Sequence, residues 1–93
     1  MANYEVLYIL SPALSEEERE SVIEKFKKFI EERDGVVGEI NKWGMKTLAY
    51  SIKFKKEGFY ILMNFKSPEQ TSIDMGKLML INESILRHMI IKK

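Results

Sequence analysis

The spacing of hydrophobic residues changes several times along the chain, and each change predicts a new element. From Tyr4 to Leu10 the residues are mostly aromatic, β-branched or aliphatic, and apolar side chains fall on both faces, which predicts a central strand. From Val22 to Ile30 apolar residues recur every three or four positions, which predicts an amphipathic helix. Ser15 and Glu18 have the spacing of a capping box at its start, and Gly35 suits the left-handed position after its end.

The middle of the chain predicts two further strands. Val36 to Phe54 has the composition of a long, irregular strand, and we expect a bulge or bend at Trp43-Gly44. Lys55 to Gly58 is expected to form a hairpin turn. Phe59 to Phe65 then forms a strongly apolar strand.

A second helix and a last strand complete the pattern. Ser67, Pro68 and Gln70 repeat the chemistry of a helix start, with a cap serine, a proline at the first helical position and a glutamine that closes the capping box. Ile85 to Ile91 forms the last strand. The apolar positions expected along the second helix are Ile73, Met75, Leu78, Met79 and Leu80.

The predicted order is therefore β-α-β-β-α-β, and an internal repeat supports it. Ser11-Pro12 and Ser67-Pro68 each end a strand before a capped helix. Two right-handed β-α-β units interleave into a four-stranded antiparallel sheet in the order 4-1-3-2, with both helices on one face. This arrangement is the ferredoxin-like α+β fold, which we expect to occupy residues 1–93 as a single domain. Strands one and three are then central, and the lysine-bearing strands two and four are edges.

Composition excludes most catalytic chemistry. The chain has 93 residues, of which 45% are hydrophobic and 31% charged, with no cysteine and one histidine, His88. Disulfides, cysteine-based metal sites, thiol catalysis and multi-histidine sites are thereby excluded, so we predict no catalytic residue, metal or cofactor. No apolar run approaches the roughly 20 residues that span a bilayer, and no secretory signal is evident, so no membrane partner is expected. The lack of cysteine fits a reducing compartment.

Charge is unevenly distributed although the net charge is only +1. Residues 1–34 carry nine acids and five bases, whereas residues 35–93 carry five acids and ten bases. The C-terminal part can thus present a basic surface, although solvated charged faces would give the same distribution.

Two other protein classes share this order of elements. Small acylphosphatase-like enzymes hold phosphate with glycine and arginine after the first strand, but residues 11–15 contain neither. RNA-recognition motifs stack bases on aromatic residues of strands one and three. Leu7-Tyr8-Ile9 and Lys56 to Ile61 loosely resemble their two ribonucleoprotein motifs, but Tyr60 stands where that family has a small residue. Tyr8 shares strand parity with Val6, which favours a ring in the core.

The most specific signal lies between Trp43 and Ile52. This segment resembles the "WGxRxLAYxI" signature of the ribosomal protein S6 family of the bacterial small ribosomal subunit. Asn3-Tyr4-Glu5 is similar to the family's opening "xYE", Gly58 to Tyr60 to its "GxY", and Ile81 to Met89 to its "IxExxLRxM" ending. The matches are spaced along nearly the whole chain and occur in order.

The resemblance implies a structural protein rather than an enzyme. Members of the family bind small-subunit ribosomal RNA in its central domain together with ribosomal protein S18 as a heterodimer. No small-molecule substrate is implied. Because a near-neutral protein neutralises few phosphates, a basic partner would explain how such a chain binds RNA. The other hypotheses are a stand-alone single-strand RNA binder that resembles an RNA-recognition motif, and a homo-oligomeric regulatory module.

Candidate interface residues follow from the predicted edges. We predict RNA contacts at Arg87, Lys92, Lys93 and Lys46, although lysines at a chain end also serve as solubilising groups. We predict contacts with the partner protein along the second strand, where an unpaired edge is exposed. Trp43 has an alternative role as a core residue at a bulge. The predicted partner-contact residues are Lys42, Trp43 and Met45.

Overall fold

Four strands and two helices follow one another in the order β-α-β-β-α-β in the computed structural model, which describes residues 1–93. The sheet is antiparallel throughout, in the order β2-β3-β1-β4, which is the predicted order 4-1-3-2 counted from the other edge. The ferredoxin-like α+β fold is therefore confirmed. Neither helix is long and apolar enough to cross a membrane. The elements are β1 (Ala2–Leu10), α1 (Glu16–Glu31), β2 (Val36–Ile52), β3 (Lys55–Ser67), α2 (Glu69–Ile81) and β4 (Ile85–Lys92).

The core lies between one face of the sheet and both helices. In the central strand β1 the even-numbered residues from Tyr4 to Leu10 point into it, and in β3 the odd-numbered residues from Ile61 to Phe65 do so. Burial of each large apolar side chain contributes about 1.5–3 kcal/mol, so this core stabilises the fold strongly. The helix residues buried in this core are Ile23, Phe26 and Ile30 of α1 and Met75 and Met79 of α2.

Helix α1 begins with the predicted capping box. The Ser15 hydroxyl accepts a hydrogen bond from the backbone N–H of Glu18 at 3.1 Å, and the Glu18 carboxylate accepts one from the backbone N–H of Ser15 at 2.9 Å. Two backbone N–H groups at the helix start are thereby satisfied. Three acidic residues in the first turn also lie at the positive end of the helix dipole.

The left-handed residue after α1 is not the one predicted. Asp34 has a φ of 63°, whereas Gly35 does not have a positive φ. Gly35 is instead required by close packing, because a Cβ there would lie 2.8 Å from the carbonyl oxygen of Ile30. Aspartate tolerates the left-handed region better than most residues, which explains how the turn forms without glycine at that position.

The predicted capping box at the start of α2 is wrong. Pro68 is the N-cap residue, and no side chain caps the helix. Ser67 is fully buried, and its hydroxyl donates to the carbonyl oxygen of Pro68 at 3.0 Å. The helix buries Thr71 and Ser72 with its methionines rather than Ile73, and the Thr71 hydroxyl donates to the Arg33 carbonyl oxygen at 3.2 Å. Leu80, which was expected on the apolar face, is 73% exposed.

The β2–β3 hairpin turns earlier than expected. Ile52 pairs with Lys55, so the turn consists of Lys53 and Phe54, and residues 55–58 belong to β3. Gly58 is therefore not a turn residue. It is buried in the sheet, and an added Cβ would collide with the side chain of Ile9 on β1.

The Ser15 cap gives a stability prediction. Ser15→Ala should lower the free energy of unfolding by about 1 kcal/mol, because the N–H of Glu18 loses its partner. Urea unfolding followed by circular dichroism measures the change. Ser21→Ala removes an exposed hydroxyl from the same helix without breaking a hydrogen bond and is the matched control. An unchanged unfolding free energy in Ser15→Ala would contradict the role of the cap.

The other half of the capping box predicts a pH dependence. The hydrogen bonds from Ser15, chiefly that of its backbone N–H, hold the pKa of Glu18 below its ordinary value of 4.5. A depressed folded-state pKa stabilises the fold above the unfolded-state pKa, and this contribution is lost as the pH falls through the folded-state value. Unfolding titrations between pH 2.5 and 7 should therefore show the largest difference between the wild type and Glu18→Gln at neutral pH, shrinking below about pH 4.5. Glu17→Gln removes a charge from the same turn but no cap hydrogen bond, and an equal difference for it would refute the assignment.

Candidate nucleic-acid and partner interface

The face of the sheet opposite the helices carries the candidate site, and we call it the open face. In β1 the alternation that buries Tyr8 against α1 places Leu7 and Ile9 on this side. Leu7 pairs with Leu62 of β3 and with Met89 of β4, so these three apolar residues form a row across the sheet. No helix covers this row, so its apolar surface remains available for a partner.

Exposed and half-buried apolar residues on the open face form a continuous surface, which we call the apolar patch. Trp43 is 48% exposed, and its ring lies nearly parallel to that of Tyr60, with 6.4 Å between the centroids and 10° between the planes. Met89 and Ile91 of the edge strand β4 are 49% and 48% exposed. The apolar patch consists of Leu7, Trp43, Tyr60, Leu62, Met89 and Ile91.

A β-bulge in the edge strand β2 places Trp43 on this face. The register shifts between Lys42 and Gly44, so that Trp43 is an additional residue opposite β3. Gly44 has a φ of 93°, a conformation that glycine adopts without strain. The predicted bulge is confirmed. Trp43 is a half-exposed ring stacked on Tyr60 and is not a core residue.

The residues predicted to contact a partner protein lie on both sides of β2. Lys42 pairs in register with Ile61, which faces the helices, and its ammonium forms an ion pair with Glu20 of α1. Met45 pairs with Phe59, also on the helix side, and is 42% exposed. Of the three predicted residues, only Trp43 therefore belongs to the apolar patch.

The four residues predicted to bind RNA do not form one cluster. Arg87 and Lys46 lie on the open face, toward the end of the sheet from which the β2–β3 hairpin projects. The Arg87 guanidinium donates to the hydroxyl of Tyr50 at 3.1 Å and is exposed. Lys93 lies at the opposite end, and Lys92 is opposite Tyr4, on the helix side.

Lys93 is partly neutralised by its neighbours. Its ammonium lies 3.1 Å from the Glu5 carboxylate and donates to the Asn64 side-chain oxygen at 3.1 Å. Lys92 borders a groove of about 330 Å³ between α2 and the sheet, together with Glu69. Of the residues predicted to bind RNA, Arg87 and Lys46 therefore lie on the open face without an acidic partner.

The structure does not form the base-stacking platform of an RNA-recognition motif. Tyr8 is fully buried on the helix side with its ring edge-on to Phe26, and burial raises the pKa of its hydroxyl above the ordinary value. Leu7 and Ile9 occupy the corresponding open-face positions of β1, and Trp43 stacks on Tyr60. The expected core position of Tyr8 is confirmed.

His88 is not a further cation of the interface. It is partly buried, and an added Cβ on Gly76 of α2 would lie 3.7 Å from its Nε2. Burial lowers the pKa of His88, so the imidazole is neutral at pH 7. No group of three or more acidic or histidine side chains converges as a metal site would require.

Most residues of the apolar patch are not among those predicted from the sequence. The sequence places Met89 and Ile91 in an edge strand and Leu62 in a central strand, and it predicts no binding role for any of them. The signal was present, because apolar residues of both parities in an edge strand leave one set exposed unless a partner covers it. From Ile85 to Ile91 apolar and polar residues do not alternate, which indicates that this edge strand exposes apolar side chains.

Comparison with known proteins identifies the family. The family model described as ribosomal protein S6 matches residues 3–92. The chain belongs to the ribosomal protein S6 family. The small ribosomal subunit protein bS6 of Desulforamulus reducens is 45% identical over 93 residues, which cover 100% of this chain and 98% of the relative. The bS6 protein of Thermoanaerobacter pseudethanolicus is 46% identical over 92 residues, covering 99% and 97% of the two chains.

A solved structure from the S6 family has the same fold. The crystal structure of 30S ribosomal protein S6 from Thermotoga maritima superposes with a TM-score of 0.92 at 32% identity, covering 99% of this chain and 87% of that one. The resemblance drawn from the "WGxRxLAYxI" segment is thus confirmed, and with it the prediction of a structural ribosomal protein rather than an enzyme.

Proposed function

We propose that this S6-family chain binds small-subunit ribosomal RNA of the central domain as a heterodimer with ribosomal protein S18, in the cytoplasm. Its role is to hold a folded RNA surface in place, without any catalytic step. The observation that carries the proposal is the apolar patch on the open face, bordered by Arg87 and Lys46. An apolar surface beside unpaired cations suits a protein partner and RNA bound side by side.

The apolar patch supports a protein partner rather than RNA alone. Trp43, Met89 and Ile91 are each about half exposed, and aromatic and methionine side chains are enriched at the centres of protein interfaces. Burying these side chains under a partner would remove their apolar surface from water and so stabilise the complex. The unpaired outer edge of β2 next to Trp43 offers backbone hydrogen bonds in addition.

Charge supports the need for that partner. The net charge of the chain is +1, and two of its lysines are already paired with Glu20 and Glu5. Because salt-dependent affinity for RNA grows with the number of phosphates neutralised, the chain alone should bind RNA weakly. A small basic partner on the apolar patch would extend the positive surface that begins at Arg87.

Sedimentation velocity with purified S18 and a transcript of the central domain tests the proposal. We expect a one-to-one complex with S18, and binding of the transcript by the mixture that exceeds binding by either protein alone. Equally tight binding of short single strands without S18 would favour the stand-alone RNA binder. A dimer of this chain that excludes S18 would favour the homo-oligomeric module.

The apolar patch predicts which substitution weakens the heterodimer. Met89→Gln keeps the size of the side chain but makes it polar, and should lower the affinity for S18 about tenfold, or about 1.4 kcal/mol. Isothermal titration calorimetry measures the change. Leu80→Gln, on the exposed end of α2, is the matched control and should bind S18 normally. Equal affinities for wild type and Met89→Gln would exclude the patch as the S18 interface.

Arg87 gives a prediction for RNA binding. Arg87→Ala should weaken assembly of the heterodimer onto the transcript and reduce the slope of log affinity against log salt by about one. Its unfolding free energy should fall by no more than about 1 kcal/mol, because only an exposed hydrogen bond to Tyr50 is lost.

Filter binding at several salt concentrations measures both effects of the Arg87 substitution. Lys77→Ala removes an exposed cation from α2, on the other side of the molecule, and should leave the salt slope unchanged. Unchanged association of Arg87→Ala with RNA would remove Arg87 from the site.

A further inference from the structure

The tip of the β2–β3 hairpin has an unfavourable backbone conformation. Lys53 and Phe54 have φ values of 51° and 65°, so both central residues of the two-residue turn are left-handed, as in a type I′ turn. Such turns strongly favour asparagine and glycine, because other residues are strained there. Phe54 is nevertheless 100% exposed and gains nothing from packing within the chain. A strained turn that presents an unburied aromatic ring indicates a role outside the folded domain.

The tip is held in place by contacts with the rest of the sheet. The Lys53 ammonium donates to the carbonyl oxygen of Ile85 at 3.2 Å. β2 carries additional residues between Thr47 and Ile52, and within this irregular segment Leu48 is buried against Ile9. Phe54 is therefore presented by an anchored hairpin, which lowers the entropy that binding would cost.

The segment of the hairpin that carries Phe54 is basic. Residues 46–57 contain four lysines and one glutamate, a net charge of +3. Lys55 and Lys56 follow Phe54 directly and form no ion pair in the structure. The other exposed aromatic residue of this segment is Tyr50, which is 66% exposed. Its hydroxyl accepts a hydrogen bond from the Arg87 guanidinium, so it too has a basic neighbour. Charge complementarity thus favours a polyanion over an apolar protein groove.

We propose that Phe54 stacks on an unpaired base of RNA while Lys55 and Lys56 contact the adjacent phosphates. Aromatic rings flanked by cations bind single-stranded nucleic acid in this way, because every base offers a π-face and each phosphate a charge. The inference rests on the proposed RNA-binding function and adds a contact distinct from the apolar patch and from Arg87.

Variants of Phe54 separate RNA contact from turn geometry. Phe54→Asn removes the ring but suits a left-handed position, so the melting temperature should stay the same or rise. Its heterodimer with S18 should nonetheless bind the central-domain transcript roughly tenfold more weakly. Phe54→Trp keeps an aromatic surface and should bind within about twofold of the wild type, since stacking tolerates either ring.

The outcomes distinguish this inference from the proposed function. If the wild-type heterodimer binds the transcript and Phe54→Asn binds equally well, the stacking contact is refuted while the function stands. If the wild-type heterodimer does not bind the transcript, both are refuted. If Phe54→Asn weakens the affinity for S18 in the absence of RNA, the ring is a protein contact and the inference is overturned.

A photo-crosslink gives an independent readout. Benzoylphenylalanine at position 54 should crosslink to the transcript within the complex, at a nucleotide whose base is unpaired. Crosslinking to S18 alone, or to paired nucleotides alone, would contradict the proposal.

Discussion

The arrangement of the whole molecule depends on one constraint: the sheet has two apolar faces, and the chain has helices for only one of them. The even-numbered residues of β1 and the odd-numbered residues of β3 from Ile61 onward form the core with α1 and α2. The opposite set, including Leu7 and Leu62, is left without a helix. Because exposed apolar surface is unfavourable in water, the open face favours a partner that covers it.

The distal part of the β2–β3 hairpin closes one end of this open face. Leu48 packs with Ile9 and Leu86 in a second, smaller cluster, next to the hydrogen bond between Arg87 and Tyr50. The rest of the open face remains uncovered around Trp43. The family signature between Trp43 and Ile52 therefore performs two structural tasks, since its first half forms the bulge and its second half covers the sheet end.

The fold could be predicted from the sequence because its signals are local and agree with one another. The helical periodicity of α1, its capping box and the apolar character of the two central strands each follow from chemistry within a few residues. The hairpin turn could not be located, because Lys53 and Phe54 carry no turn chemistry, and Gly58 is present for packing against Ile9. Burial of Thr71 in α2 likewise depends on a distant acceptor, the Arg33 carbonyl oxygen.

The candidate site was only partly predictable, because only some of its residues are marked by signals from neighbouring residues in the sequence. Trp43 was identified because Gly44 marks a bulge within the strand. Met89 and Ile91 were not. Apolar residues of both parities in β4 indicate that one set is exposed, but the sequence does not specify which face of the sheet the helices cover. The positions of Lys92 and Lys93 on different sides of the sheet follow from the alternation of β4, which becomes informative once the register with β1 is known.

Side-chain footprinting with hydroxyl radicals shows whether S18 covers the open face or the helices. Oxidation is measured by mass spectrometry for the free chain, for its mixture with S18, and for the mixture with RNA. We expect Trp43 and Met89 to become protected when S18 is added, while Leu80 on α2 stays equally reactive. Protection of Leu80 with unchanged oxidation of Trp43 and Met89 would contradict this expectation, because the partner would then cover the helices instead of the open face.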